Sequence, residues 1–145
     1  MKQFIIAAVI GVCAQAATAQ DLVTYTTDQD FDDVAFGIES AITDAGLVVD
    51  HVSHVGDMLE RTRADVGSDV VLFEKADVYS FCSATVSRQV MEAEPMNIVF
   101  CPYDIFISKQ PGSDMVTVGY RQFPDGAMQA VQSLLDGIVQ EAIAE

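Results

Sequence analysis

The sequence predicts an α+β domain, with an antiparallel-rich sheet carrying two long helices on one face. Three observations lead there. Several short stretches alternate or run apolar in the manner of strands, and they cluster in the middle of the chain. The two longest amphipathic helical patterns flank that cluster, one near each end of the folded part. No repeat, low-complexity tract or linker-like stretch divides the chain, so strands and helices belong to one unit.

The chain opens with Met1-Lys2-Gln3, one positive charge, followed by the apolar run Phe4 to Val12 and the small residues Ala17-Thr18-Ala19. A basic start, an apolar run of about 7–15 residues and a small-x-small end form a secretory signal peptide. The run is shorter than the roughly 20 residues a bilayer-spanning helix needs. Cleavage is expected after Ala19, which makes residues 1–19 a removed leader and 20–145 a single domain. Cys13 raises a lipoprotein reading, but Val12 stands where that signal carries a small residue. The expected compartment is the periplasm.

Each element follows in order. Leu22 to Thr26 has strand composition. Asp30 reads as a helix N-cap, with Asp32 and Asp33 in the first turn, where the helix dipole favours anions. Phe31, Val34, Ala35, Ile38, Ala41, Ile42 and Ala45 recur at helical spacing until Gly46 stops them. Leu47 to Val55 reads as a strand. Gly56 and Asp57 open a short helix through Arg63, closed by Gly67. The apolar run Val70 to Phe73 reads as a buried strand, and Val78 to Phe81 as an extended segment ending at Cys82. Ser83 caps a helix to about Glu94, where Pro95 ends it. Ile98-Val99-Phe100 leads into Cys101 and Pro102. Tyr103, Ile105 and Ile107 share one face of the next strand. Gln110-Pro111-Gly112-Ser113 is a turn, and Val116, Val118 and Tyr120 line the returning strand. The last helix starts near Asp125, with Ala127, Val131, Leu134, Leu135, Ile138, Ala142 and Ile143 as its apolar stripe.

Charge narrows the partners. Loss of 19 residues from 145 leaves 126, and with Lys2 gone six Lys and Arg face 22 Asp and Glu, a net charge of −16. Nucleic acid and anionic lipid are bound through cations on the protein, so neither is expected as a partner. After cleavage no membrane association is expected. The partner is a small ligand or another protein.

Two cysteines survive cleavage, Cys82 and Cys101. In an oxidising compartment a pair is read first as a disulfide. A bridge across 18 intervening residues would stabilise the fold by about 3 kcal/mol on the chain-entropy account. Cys82 also lies where a strand gives way to a helix, and a helix N-terminus lowers a thiol's pKa, so a reactive thiolate is an alternative. Two free buried thiols are a third. There is no CxxC pair of the thioredoxin kind.

His51 and His54 form His-x-x-His. On one strand residues three apart point to opposite faces, so they meet at one ion only if the strand ends between them. Cys82, Cys101, His51 and His54, with Met58 or Met96, form the ligand set for an alternative copper site, since soft sulfur suits Cu(I). Met58, Met91 and Met96 read equally as gap-filling residues. No GxSxG, phosphate-binding glycine loop or HExxH occurs.

The segments Phe81-Cys82-Ser83-Ala84, Met91-Glu92-Ala93-Glu94-Pro95 and Asn97 to Tyr103 resemble the domain-of-unknown-function family 302. Asp30 to Val34 and Met58 to Thr62 are similar to its exported proteobacterial branch. The resemblance implies a TATA-binding-protein-like arrangement of two helices against an antiparallel sheet, often as a dimer, with both cysteine segments together in space. Other members tend to have Asn-Pro after the first cysteine and Leu-Pro before the second. Here those places hold Ser83-Ala84 and Val99-Phe100. The resemblance carries no activity with it.

The expected function is therefore a non-enzymatic binding or interaction module, with a Cys82–Cys101 disulfide next to a small pocket. Two alternatives stand beside it: a thiol-based redox protein using Cys82, and a copper-binding protein. No other cofactor is expected, and a homodimer is compatible with all three.

Overall fold

A computed structural model describes residues 21–144; the leader reading falls outside them. The chain runs β1 (Leu22–Thr27), α1 (Phe31–Asp44), β2 (Val49–Ser53), α2 (Val55–Thr62), β3 (Lys75–Phe81), α3 (Ala84–Ala93), a 3₁₀ turn (Pro95–Phe100), β4 (Tyr103–Lys109), β5 (Val116–Arg121) and α4 (Gln129–Ala142). The strands form one sheet in the order β1-β5-β4-β3-β2, and every neighbouring pair is antiparallel. The α+β class read from the sequence is thus the architecture of the chain.

Alternation along the strands decides which face is buried. Across the ladders Val23 opposes Tyr120, Tyr25 opposes Val118, Ile107 opposes Val118 and Phe81 opposes Tyr103. Directly opposed residues share a face, so these side chains form one apolar surface. The stripes of α1 (Phe31, Val34, Ile38, Ala41, Ile42) and α4 (Val131, Leu135, Ile138, Val139, Ala142) close over it, joined by Val90 of α3. Gly46 follows α1 with φ +75°, the left-handed conformation that a helix stop of this kind uses.

The structure departs from the sequence reading at three places. Val70 to Phe73 is not a strand, and Val70, Val71 and Leu72 are exposed. The reason is register. Lys75 pairs with Lys109, the last residue of β4, and Glu74 N–H donates to the Lys109 carbonyl at 2.8 Å. The chain beyond Lys109 turns away, so residues 70–73 have no β4 residue to pair with. Pro95–Phe100 winds into a 3₁₀ turn where an apolar approach to Cys101 is read. Helix α4 starts at Gln129 because Gly126, at φ +90°, interrupts the earlier turn.

Candidate functional site

Antiparallel register brings the two cysteines together. The last rung of β3–β4 pairs Phe81 with Tyr103. Cys82 leaves β3 one residue after that rung, and Cys101 reaches β4 two residues before it. Their sulfurs lie 3.6 Å apart at the end of the sheet. A cis peptide joins Cys101 to Pro102. Both are free thiols; Cys82 is exposed and Cys101 half-buried.

Cys82 stands just before α3. Ser83 caps that helix, its hydroxyl accepting from the Val86 N–H at 3.3 Å. One turn on, Ser87 faces the same spot. Its Oγ lies 3.5 Å from Cys101 Sγ and 2.9 Å from the Tyr103 hydroxyl. The chain of polar atoms thus runs Cys82, Cys101, Ser87, Tyr103. Tyr103 is almost wholly buried, so its hydroxyl depends on this partner.

Placement at a helix start predicts a lowered Cys82 pKa, and the structure reverses that direction. The Cys82 thiol is pushed up to about 11. Desolvation by the surrounding chain is the largest cause, followed by the hydrogen bond and charge of Cys101 and the carboxylate of Asp50; a backbone hydrogen bond from Tyr103 opposes them. Tyr103 is likewise pushed up to about 12, chiefly by desolvation.

The histidines are held elsewhere. Strand β2 ends at Ser53, between the two, as their sharing an ion would require. His54 instead places Nδ1 2.8 Å from Asp77 Oδ1, which raises its pKa above the ordinary value. His51 is exposed on β2 opposite Ser80. Among the described residues no three His, Cys, Asp or Glu side chains converge as a metal-ligand group. Met58 lines a groove at α2, and Met96 is exposed on the 3₁₀ turn.

Three grooves bear on the expected pocket beside the cysteines, and one of about 440 Å³ lies on α3 just beyond Cys82, lined by Ala84, Arg88, Met91 and Glu92. A second, of about 340 Å³, runs between α2 and residues 66–73, lined by Met58, Leu59, Val66, Val70 and Leu72. Another, of about 440 Å³, is lined by Asp30, Asp32, Asp33, Glu74, Lys75 and Lys109. Its lysines are already engaged: Lys75 Nζ lies 2.6 Å from Asp32 Oδ1 and Lys109 Nζ 3.4 Å from Glu74 Oε1. No cysteine lines these three grooves, although the α3 groove begins two residues after Cys82.

Sequence reasoning misses Ser87, although its place one turn after the Ser83 cap puts it on the cap's side of the helix. It also misses Asp136 on α4. Asp136 Oδ1 accepts from the Tyr25 and Tyr120 hydroxyls at 2.5 and 2.8 Å, and Oδ2 accepts from Gln140 Nε2 at 2.7 Å. This clasp ties α4 to β1 and β5.

Residues 23–144 match the family described as Domain of unknown function DUF302. The chain belongs to this family. A crystal structure of an uncharacterized conserved DUF302 protein from Bacillus stearothermophilus is similar in fold. The TM-score is 0.58 at 14% identity, and the likeness covers 86% of this chain and 88% of that one. At that identity the likeness bears on the DUF302 fold alone. No curated protein matches the chain.

Proposed function

We propose that this DUF302 domain is an exported, non-enzymatic binding or interaction module whose surface thiols Cys82 and Cys101 close to a disulfide. The observation that carries the reading is the 3.6 Å separation of the two sulfurs. A disulfide has an S–S distance of about 2.05 Å, so closure asks for about 1.5 Å of approach. Export rests on the leader pattern of residues 1–19.

Closure is a two-electron oxidation. A donor disulfide of the compartment is reduced to two thiols, the Cys82–Cys101 bond forms, and the two cysteine protons pass to the donor sulfurs. The test is to recover the protein from its native compartment with an alkylating quench and no reductant. Neither Cys82 nor Cys101 is then alkylated until a reductant is added. Two alkylated cysteines before reduction would overturn the reading.

A further inference from the structure

Four aliphatic or thioether side chains near the dithiol are exposed far beyond the usual for their type: Val48 74%, Met96 64%, Ile98 58% and Val99 61%. Their placement follows from the fold. A 3₁₀ turn has three residues per turn, so side chains three apart eclipse. In Pro95–Phe100 the inward ridge is Asn97 and Phe100. The Asn97 amide donates to the Val90 carbonyl at 2.8 Å, and Phe100 packs edge-on against Phe123 with centroids 5.8 Å apart. Met96, Ile98 and Val99 are left pointing outward. The Cys101 N–H donates to the Ile98 carbonyl at 3.1 Å, which holds that residue within one turn of them. Val48 lies on the other side. It precedes Val49, whose ladder partner Phe81 is followed directly by Cys82.

An exposed dithiol is therefore flanked by bare hydrocarbon on a chain of net charge −16 without its leader. Apolar side chains gathered at one place mark a contact surface. The thiols between them fix the chemistry of the occupant. A small charged disulfide gains little from aliphatic neighbours, whereas a cystine embedded in apolar polypeptide gains from both. We propose that Val48, Met96, Ile98 and Val99 dock a polypeptide segment that carries a disulfide and exchanges it with Cys82 and Cys101. The proposal rests on the reading that this pair closes, and it names the partner of that step.

Cys82, the more exposed cysteine, attacks one sulfur of the partner's cystine through the small fraction of it that is thiolate at neutral pH. The cystine bond breaks, a mixed disulfide forms, and the first partner sulfur leaves and takes up a proton. Cys101, as thiolate, then attacks Cys82 Sγ. The mixed disulfide breaks, the Cys82–Cys101 bond forms, and the second partner sulfur leaves as a thiol. One cystine is reduced and two thiols are oxidised.

The test uses the full chain without its leader, reduced, and two neutral cyclic peptides with a single cystine. One is flanked by Leu and Phe, the other by Ser and Gly. Oxidised glutathione is the reference oxidant. Closure is followed by acid quench and alkylation. The expected result is closure at least tenfold faster with the apolar peptide than with the polar one. The Ile98→Ser/Val99→Ser double variant, and separately Val48→Ser, lose most of that preference while reacting with glutathione within twofold of the parent. The glutathione rate thus controls for folding. Equal rates for the two peptides in the parent, or an undiminished preference in both variants, would overturn the docking surface. So would a dimer in sedimentation equilibrium that the double variant dissolves, since a second copy would then occupy the rim. Failure of glutathione to close the pair at all would overturn the pairing itself, and the proposal with it.

Discussion

Reducing the proposed Cys82–Cys101 bond is expected to destabilise the domain by about 3 kcal/mol. The two residues are 19 positions apart, so the bond closes a loop of about 20 residues. Cross-linking removes loop-closure entropy from the unfolded chain, and the chain-entropy expression gives about 11 cal/mol/K for such a loop, or roughly 3.3 kcal/mol at 25 °C. A domain of this length shifts in Tm by about 3–5 °C per kcal/mol, between the values for smaller and larger domains. Oxidised and reduced protein should then differ by roughly 10–15 °C in thermal unfolding followed by circular dichroism. A Cys82→Ala/Cys101→Ala variant should unfold with the reduced form and ignore reductant. If mass spectrometry confirms the bond and the oxidised protein still gains less than about 1 kcal/mol over that variant, strain offsets the entropy, and the pair is not placed for closure as described.

Three further outcomes follow from the same geometry. Cys82 in the reduced protein should be alkylated at pH 8 on the order of a hundredfold more slowly than an ordinary cysteine, because its thiol is raised from 9.0 to about 11. Because folding raises this pKa, the contribution of the protonated thiol to stability is complete below about 9 and is lost as pH rises towards 11. An alkylation profile with its midpoint below 9 would contradict this. Asp136→Ala should cost about 2–4 kcal/mol in urea unfolding, since it strands the buried Tyr120 hydroxyl and also frees Tyr25; Tyr25→Phe should cost about 1 kcal/mol. A loss under 0.5 kcal/mol for Asp136→Ala would show the clasp to be incidental. Two helical glycines should respond with opposite signs. A Cβ on Gly37 of α1 would come 2.5 Å from the Ala142 carbonyl oxygen of α4, so Gly37→Ala should destabilise by about 1–3 kcal/mol despite better helix propensity. Gly137 has nothing within 4 Å, and Gly137→Ala should stabilise by about 0.5–1 kcal/mol in the same assay.

The parts of the fold legible in the sequence are those where burial imposes a period. Phe31, Val34, Ile38 and Ile42 announce α1, and Tyr103, Ile105 and Ile107 announce the inner face of β4, because one face of each must be apolar. Val70 to Phe73 misleads because an apolar run states a preference and not a partner. Whether it joins the sheet depends on where β4 ends, which lies some 35 residues later in the chain. The meeting of the cysteines is half legible. Their places after one strand and before another follow from local pattern, but their contact requires the Phe81–Tyr103 rung. The thiol's raised pKa is not legible at all. A helix start argues for lowering, and only the packed chain around the sulfur makes desolvation the larger effect.

The place of the dithiol in the fold means that the proposed bond would act on more than two residues. The chain between Cys82 and Cys101 leaves the sheet, forms α3 and the 3₁₀ turn, and returns to the sheet at the rung where it left. Within α3 only Val90 is fully buried, with Val86 and Met91 of that helix and Phe100 of the 3₁₀ turn packed partly against the core. This excursion is thus anchored by fewer apolar contacts than α1 or α4, each of which buries five residues. Elements with fewer buried contacts open at lower free energy than the rest of a domain. A bond between the two ends of the excursion closes it where β3 departs and β4 begins, and it holds Ser87 against Tyr103 at the same time. The exposed Met96, Ile98 and Val99 ride on the excursion itself, so the bond that closes the loop also fixes the surface it presents.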